Sequence, residues 1–357
     1  MQLINKIAGA FGNRYFPEKT AVASMALVLF WIWGPTLFYG HTFALVIGAV
    51  LLTFLSLPGV PFKIFGIYLA VWCGWMYSAA FVETIPIEMI IDLSSELLFI
   101  VAGSVFFLTV LRGRFPICYY QHWLCIFALV MAGIALSQYH FFKIPSLGTI
   151  GNQNFFAAYT AISFPLFFRR GWIWWTPILL YCLIVANTTT AFVAMLAGVG
   201  YYFYPQLREI QKKAAALVLA LMIGAGLYYG LVYHPSVLTS ERWDMWADAV
   251  NKISSHWYLM LFGVGPGVTW KVGNALHSEY AYMLFNLGLV GLLLMGAIMK
   301  SIPRANREFY AAFVVIAVDA IGNHVFHTAP TALLSIVVIA ILFKAKLRKP
   351  CGSQPAT

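Results

Sequence analysis

Long apolar segments recur along the whole chain and limit its possible folds more than any other feature. Of its 357 residues, 62% are hydrophobic and only 10% are charged. A soluble domain has about 25% charged residues, because its surface must be hydrated. The chain therefore cannot cover its apolar surface as a soluble globule, and the sequence predicts an all-α polytopic membrane protein.

A membrane-spanning helix needs roughly 20 mostly apolar residues to cross about 30 Å of hydrocarbon. Such segments predict about twelve transmembrane helices in a single integral membrane domain, residues 1–357. The segments lie near residues 21–38, 41–57, 62–81, 97–111, 118–136, 155–168, 172–186, 190–204, 214–233, 279–298, 309–322 and 329–344. The first residues carry Lys6, Arg14 and Lys19. They are too polar for the apolar part of a cleavable signal, so we expect an uncleaved first span.

The basic residues indicate the orientation, because Lys and Arg are enriched in cytoplasmic loops. With both termini in the cytoplasm, all but four of the 22 Lys and Arg residues lie on the cytoplasmic side; the exceptions are Lys143, Arg242, Lys252 and Lys271. The net charge of +10 is then mainly a consequence of topology. It gives no support to a nucleic-acid partner, and we expect membrane lipids to surround the protein.

The longest outer loop, residues 234–276, is the only predicted loop with room for structure of its own. Residues 241–253 are predicted to form an amphipathic helix with Trp243, Trp246 and Val250 on one side. Such a helix would lie flat on the membrane surface, with its tryptophans at the interface. A glycine-dependent turn, Gly-Val-Gly-Pro-Gly, follows at residues 263–267.

Three polar patches also fall on the predicted outer face. They are Asn152, Gln153 and Asn154 before the sixth span, Thr188, Thr189 and Thr190 before the eighth, and Asn323, His324 and His327 near the end of the eleventh. Amides at helix starts are usually caps. The alternative is a site for a hydroxyl-rich ligand, since an amide both donates and accepts hydrogen bonds. Asp319, one turn before the third patch, is an acid at bilayer depth, where acids tend to face a cavity or a partner.

Neither the histidines nor the cysteines favour a metal site or a cofactor. His324 and His327 supply two ligands at most. The five cysteines include no Cys-x-x-Cys pair, and four of them lie in apolar stretches. We therefore expect small core cysteines and chemistry that requires neither a metal nor a cofactor.

Arg242, His277 and Glu279 are the outer residues best suited to chemistry. Arg242 has two readings, a surface ion pair of small energy or a clamp for phosphate oxygens, which its planar guanidinium fits. His277 is either an interface residue or a base that takes a proton from a hydroxyl near neutral pH. Glu279 either begins the tenth span or orients an acceptor. Together with the polar patches, these residues predict an outward-opening cavity for a substrate with negative charge and hydroxyls.

Two segments resemble the O-antigen ligase superfamily, which includes O-antigen polymerases and bacterial O-linked oligosaccharyltransferases. They are Phe-Gly-Val-Gly-Pro-Gly at residues 262–267, and His-Ser-Glu-Tyr-Ala-Tyr-Met-Leu-Phe-Asn-Leu-Gly-Leu-Val-Gly at residues 277–291. The segment Arg-Trp-Asp-Met-Trp at 242–246 is similar to the family's arginine-and-tryptophan helix, and residues 151–154 look like its Gly-x-x-Asn element. The resemblance covers roughly residues 148–300.

The resemblance implies a glycan donor on undecaprenyl pyrophosphate, presented at the periplasmic face. An acceptor hydroxyl, on another glycan chain or on lipid A core, would attack the anomeric carbon. Arg242 would stabilise the pyrophosphate leaving group, and His277 would orient or deprotonate the acceptor. By the same resemblance, Asn152, Asn154 and Glu279 would bind sugar or acceptor, and no metal is required. We add Gln153, Thr189, Thr190 and His324 as further candidates for substrate binding.

The chain departs from the family in two places that bear on this function. Many relatives carry an arginine just before the span that corresponds to the eighth here, where this chain has threonines. Relatives often have Glu where this chain has Asn286. The outer loop is compact, which favours a ligase or polymerase over a protein-glycosylating enzyme.

Two other classes of protein fit the composition. Twelve spans and an intramembrane Asp319 suit a secondary transporter of a small anion or solute. The sequence shows neither the internal repeat nor the broken helices that transporters often have. The third possibility is a non-catalytic accessory or phage membrane protein that modifies host glycan assembly.

Overall fold

The computed structural model describes residues 107, 110–111, 113, 115–143, 152–211, 242–264, 278–323, 325 and 329–347. In these residues the regular structure is helical, without a β-strand, so the all-α prediction is confirmed for this part of the chain. The α-helices are α1 (Ile117–His140), α2 (Gln153–Ser163), α3 (Thr176–Ala186), α4 (Thr189–Phe203), α5 (Arg242–Ser254), α6 (Trp257–Phe262), α7 (Glu279–Ser301), α8 (Arg307–Asp319) and α9 (Ala329–Leu347).

The seven predicted apolar segments between residues 118 and 344 that fall in the described ranges each coincide with a helix. Two of these segments combine an α-helix with a 3-10 turn: Phe164–Phe168 extends α2, and Ile173–Trp175 precedes α3. Pro165 lies in the first turn of the 3-10 helix and Pro177 in the first turn of α3. The N–H groups of a first turn have no partner within the helix, so a proline costs little there. The segments before residue 97 and at 214–233 lie outside the described residues, and 97–111 does so almost entirely.

By length and apolar composition alone, only α1 among the described helices could cross a bilayer unaided. Helix α7 bends by 54° between two parts, Glu279–Leu293 and Met295–Ser301. It is a second candidate only if these two parts are counted as one span. The other described helices are shorter or less apolar. The total of twelve spans therefore remains a prediction.

Helices α4 and α8 make the most extensive helix–helix contact in the described part of the chain. Small residues line the contact, since Ala191, Ala194, Ala311 and Ala312 are all fully buried. A Cβ built on Gly198 would lie 2.4 Å from Val315 Cγ2 and 2.9 Å from the Ala311 carbonyl oxygen. Small residues let two helix backbones approach in this way, a common feature of helix pairs in membranes.

One end of the helix bundle gathers basic and aromatic side chains. The Arg169 guanidinium donates to the Cys118 carbonyl oxygen over 3.5 Å, and Lys344 Nζ lies 4.6 Å from the centroid of the Tyr120 ring. The Arg307 guanidinium donates to the Tyr202 carbonyl oxygen and lies 4.5 Å from the centroid of the Tyr202 ring. We call this the basic end; the residues that the sequence assigns to the cytoplasmic side meet here.

Helix α7 is interrupted at Gly288, whose φ of 65° and ψ of −164° are not helical. A Cβ on Gly288 would lie 2.4 Å from the Leu261 carbonyl carbon and oxygen, so the backbone of α6 crosses the interruption directly. The expectation that this chain has no broken helix is therefore wrong. Its physical reason is the close backbone approach, which only glycine permits at this position.

The predicted loop helix at 241–253 is present as α5, Arg242–Ser254. Ala249 and Ile253 of α5 pack on Phe285 of α7 in a small cluster separate from the main core. Trp246, which the sequence assigns to a membrane-facing stripe, packs against the same cluster, whereas Val250 is exposed. Helices α5 and α6 therefore rest on α7.

Candidate functional site

The end of the bundle opposite the basic end is built from polar helix termini. At its first junction, the start of α2 meets the end of α3 and the start of α4. The Gln153 amide nitrogen donates to the Ala186 carbonyl oxygen, the last carbonyl of α3. The Thr188 hydroxyl shares its hydrogen between that same oxygen, at 3.1 Å, and the Asn154 side-chain oxygen, at 3.3 Å. Asn187 ends α3 in the left-handed conformation, with φ 50°, which asparagine tolerates well.

At the second junction, α4 meets the end of α8. The Asn323 amide nitrogen donates both to the Thr190 hydroxyl oxygen over 3.1 Å and to Asp319 Oδ1 over 2.9 Å. Asp319 is fully buried, and its second oxygen, Oδ2, has no hydrogen-bond partner among the described residues. One carboxyl oxygen therefore accepts a hydrogen bond from the protein, and the other is left without a described donor.

Glu279 joins the same end through the backbone. Its N–H donates to the carbonyl oxygen of Ala320 over 2.9 Å, the residue directly after Asp319. Glu279 is 1% exposed. The Ser278 hydroxyl caps α7 by accepting from the Ala281 N–H over 3.3 Å, and Tyr280 donates its hydroxyl hydrogen to the Ala317 carbonyl oxygen over 2.8 Å. These bonds hold the start of α7 against the last turn of α8.

We call residues 152–154, 186–190, 278–279 and 319–323 the polar end. The four segments are far apart in the chain and meet only in the folded protein. They contribute side-chain amides, hydroxyls and two buried carboxyl groups. This set suits a neutral ligand rich in hydroxyl groups, because each member accepts from, or donates to, a hydroxyl. Carboxyl groups do not favour phosphate, so an anionic part of a ligand needs positive groups from elsewhere in the chain.

The structure separates the sequence-predicted binding residues by environment. Asn154 and Thr190 are half-buried and face partners from other helices. Asn152 is exposed, and its side-chain oxygen accepts from the N–H groups of Asn154 and Phe155, so it caps α2. Thr189 is exposed and lies in the first turn of α4. The described contacts of Asn152 are therefore those of a helix cap, one of the two interpretations that the sequence allowed for this residue.

Gln153 and Glu279 also belong to the polar end, through their bonds to the Ala186 and Ala320 carbonyl oxygens, whereas three predicted residues have no described side chain. His277 and His324 lie outside the described residues, and of Arg242 only the helical backbone at the start of α5 is described. Their catalytic and binding roles remain predictions. In the described ranges, no three His, Cys, Asp or Glu side chains are grouped as metal ligands.

Asp319, Asn323 and Thr188 hold the polar end together but were not among the predicted binding residues. A signal existed for each: Asp319 and Asn323 are polar residues four apart at the end of an apolar segment, and threonine commonly lies at helix starts. The sequence did not indicate that Asn323 would reach Thr190 across 133 residues. It also did not indicate that Asn286 would be buried with no hydrogen-bond partner among the described residues.

No protein-family model matches this chain, and no curated protein matches it. The resemblance to the O-antigen ligase superfamily therefore rests on the sequence motifs.

Proposed function

We propose that this chain is a membrane glycosyltransferase of the O-antigen ligase or polymerase type. In this proposal it has about twelve transmembrane helices, with the basic end in the cytoplasm and the polar end at the periplasmic face of a bacterial inner membrane. It transfers a glycan from undecaprenyl pyrophosphate to an acceptor hydroxyl, on another glycan chain or on lipid A core. The reaction uses no metal and no cofactor.

The observation that carries the proposal is the meeting of three predicted polar patches and Glu279 at one end of the bundle. Asn154, Thr190, Asn323 and Asp319 come from three helices, and their side chains are oriented by hydrogen bonds among themselves and with Thr188. Asp319 Oδ2 is a buried acceptor with no hydrogen-bond partner among the described residues, and a substrate hydroxyl is a suitable donor for it.

The proposed reaction divides the charged and neutral groups between two parts of the chain. The polar end binds hydroxyls of the sugar and the acceptor. The pyrophosphate needs a cation, and Arg242 in the outer loop supplies a guanidinium that bonds two phosphate oxygens at once. His277 directly precedes Ser278, the buried cap of α7. Covalent connection alone therefore puts His277 next to the polar end in the chain.

In the chemical step, His277 takes the proton of the acceptor hydroxyl. The acceptor oxygen forms a bond to the anomeric carbon as the bond from that carbon to the pyrophosphate oxygen breaks. The electron pair of the broken bond stays on the pyrophosphate, which leaves attached to its lipid. Arg242 stabilises the charge that develops on this leaving group, the kind of stabilisation that usually contributes most to such reactions.

A glycan gel tests the proposal. Membranes containing wild type, Arg242→Ala or His277→Ala receive lipid-linked oligosaccharide repeat units, with and without lipid A core. A ladder of longer chains identifies a polymerase, and transfer onto core identifies a ligase. We expect a loss of about 100-fold or more in His277→Ala, if it is the general base. Transfer at an unchanged rate in His277→Ala rejects the assigned base, and absence of transfer by wild type with several donors rejects the enzyme.

A carrier for a small anion or solute is the second candidate, and two observations favour it. Transporters bind cargo at interrupted helices near the membrane midplane, and α7 is interrupted at Gly288. Asp319 is an acid buried in a helix of an apolar bundle. Cysteine probing from both sides of the membrane separates the two functions, because a carrier must open its cavity to the cytoplasm as well.

A further inference from the structure

Asn286 is buried without satisfying its hydrogen-bonding groups. Its side chain is 1% exposed, and neither the amide nitrogen nor the amide oxygen has a partner among the described residues. A buried amide of this kind is destabilising, whereas an apolar side chain of similar shape would be neutral at the same place. Native proteins satisfy such groups with water, an ion or a ligand.

The surroundings of Asn286 are an irregular crossing of two backbones. A Cβ on Gly263 would lie 2.2 Å from the Asn286 carbonyl carbon, and one on Gly288 would lie 2.4 Å from the Leu261 carbonyl oxygen. The Val264 N–H donates to the Phe285 carbonyl oxygen over 2.9 Å. Residues 257–264 therefore cover α7 at its interruption, two residues beyond Asn286.

The cover touches α7 mainly through its backbone, and no side chain of α6 is buried. Its own side chains are mainly exposed, with Trp257 at 72% and Phe262 at 52%. The apolar contact that α5 and the cover make with α7 is the small cluster around Ala249, Ile253 and Phe285, separate from the main core. A segment with few buried contacts opens at a lower free energy than the core does.

Asn286 is also aligned with the polar end. It lies seven residues after Glu279 on the same helix, and the interruption comes only at Gly288. Seven residues are close to two turns, so both side chains share one face about 10 Å apart. A glycan of several sugars that is bound at the polar end is long enough to reach this position.

We propose that Asn286 binds a sugar hydroxyl of the lipid-linked glycan, and that residues 257–264 lift from α7 to admit it. This inference rests on the proposed function and adds a binding residue to the same site. An amide offers one donor and one acceptor side by side, the complement of a hydroxyl group. When the glycan leaves, the cover closes again over an unsatisfied amide, which favours binding of the next glycan over the empty state.

Kinetics of transfer test the role of Asn286. In Asn286→Leu, a near-isosteric change, we expect the apparent KM for an undecaprenyl-pyrophosphate-linked oligosaccharide to rise about tenfold, the equivalent of one good hydrogen bond, with kcat within about twofold of wild type. The control is Gln121→Met, which removes a buried amide that donates to the Leu166 carbonyl oxygen over 2.7 Å at the basic end. It should lower the thermal unfolding temperature without changing KM. An unchanged KM in Asn286→Leu overturns the binding role and leaves a buried water as the partner of the amide.

Cysteine labelling tests the cover without any transfer. Asn286→Cys in a cysteine-free background should react slowly with a membrane-impermeant maleimide. Adding Gly288→Ala, which forces the cover away from α7, should speed the reaction at least about tenfold. Gly296→Ala on the same helix is the matched control, because a Cβ there meets nothing within 4 Å. If Asn286→Cys is labelled at the same rate with Gly288→Ala as with Gly296→Ala, the proposal that residues 257–264 lift from α7 is wrong.

The two tests separate this inference from the proposed function. If wild type transfers glycan but Asn286→Leu behaves as wild type, the inference fails and the proposed function stands. If wild type transfers nothing, the proposed function fails. In that case the affinity of the purified protein for the lipid-linked oligosaccharide decides the binding role by itself, and equal affinities of wild type and Asn286→Leu count against it.

Discussion

Thr190 and Asn323 are 133 residues apart in the chain, yet the Asn323 amide nitrogen lies 3.1 Å from the Thr190 hydroxyl oxygen. The same nitrogen lies 2.9 Å from Asp319 Oδ1, so both amide hydrogens are used. Asn323 thus connects the start of α4 with the buried acid at the end of α8. The second junction of the polar end therefore depends on this one side chain.

Loss of Asn323 should therefore cost more than loss of Thr190. Asn323→Leu removes the described donor to a buried carboxylate and should reduce the free energy of unfolding by about 2–3 kcal/mol. Thr190→Val removes one neutral hydrogen bond and should cost about 1 kcal/mol. Thermal unfolding in detergent measures both. Equal destabilisation by the two variants would contradict the double role of Asn323.

Asp319→Asn should separate stability from activity. The variant keeps an oxygen for the Asn323 amide, so we expect the free energy of unfolding to change by less than about 1 kcal/mol. It replaces the unpaired carboxyl oxygen by an amide nitrogen, and glycan transfer should fall about tenfold or more, as expected for a lost hydrogen bond of about 1.4 kcal/mol or more. Asp248→Asn, at an exposed position on α5, is the control and should transfer as wild type does.

The amides at the start of α2 should differ in function. Asn152 caps its own helix, so Asn152→Ala should cost about 1 kcal/mol of stability, and Asn152→Ser, which keeps a cap, much less. Neither should change the KM for the lipid-linked donor. Asn154→Ala removes the oxygen that faces Thr188 and should raise that KM. A raised KM in Asn152→Ser, measured beside its unfolding temperature, would show that Asn152 binds substrate as well.

Two glycines of α4 test the close packing against α8. Gly198→Ala forces Val315 and the Ala311 carbonyl away and should destabilise the protein by about 1–3 kcal/mol. Gly200→Ala meets nothing within 4 Å and should be neutral or stabilising by up to about 1 kcal/mol, since alanine favours helix. Unfolding temperatures of the pair that differ by less than the error of measurement would rule out this packing.

The sequence predicts the helices well and their junctions poorly. Runs of apolar residues locate α1 to α4 and α7 to α9 within a few residues, because burial and hydrogen bonding favour a helix along the whole run. The amphipathic pattern of α5 is equally local, since its polar and apolar positions alternate with the helical period. The interruption of α7 at Gly288 was missed, because it depends on contact with Leu261, which a linear pattern does not contain.

The candidate site shows the same limit. The sequence identifies which polar residues lie near helix ends, and the orientation rule places them on one face. It does not reveal which of them meet: Asn152 faces its own helix, whereas Asn154 faces Thr188 from another. These pairings depend on how closely the helices pack, which the close contact at Gly198 illustrates for α4 and α8.

The central claim is that the chain cleaves the bond between a glycan and undecaprenyl pyrophosphate. The most direct measurement is the release of undecaprenyl pyrophosphate by purified protein in lipid nanodiscs, followed with and without a hydroxyl acceptor. The account predicts release that requires the acceptor, matches the amount of glycan transferred, and falls about 100-fold or more in His277→Ala. Release that is absent with several donors, or that proceeds equally in His277→Ala, would contradict it.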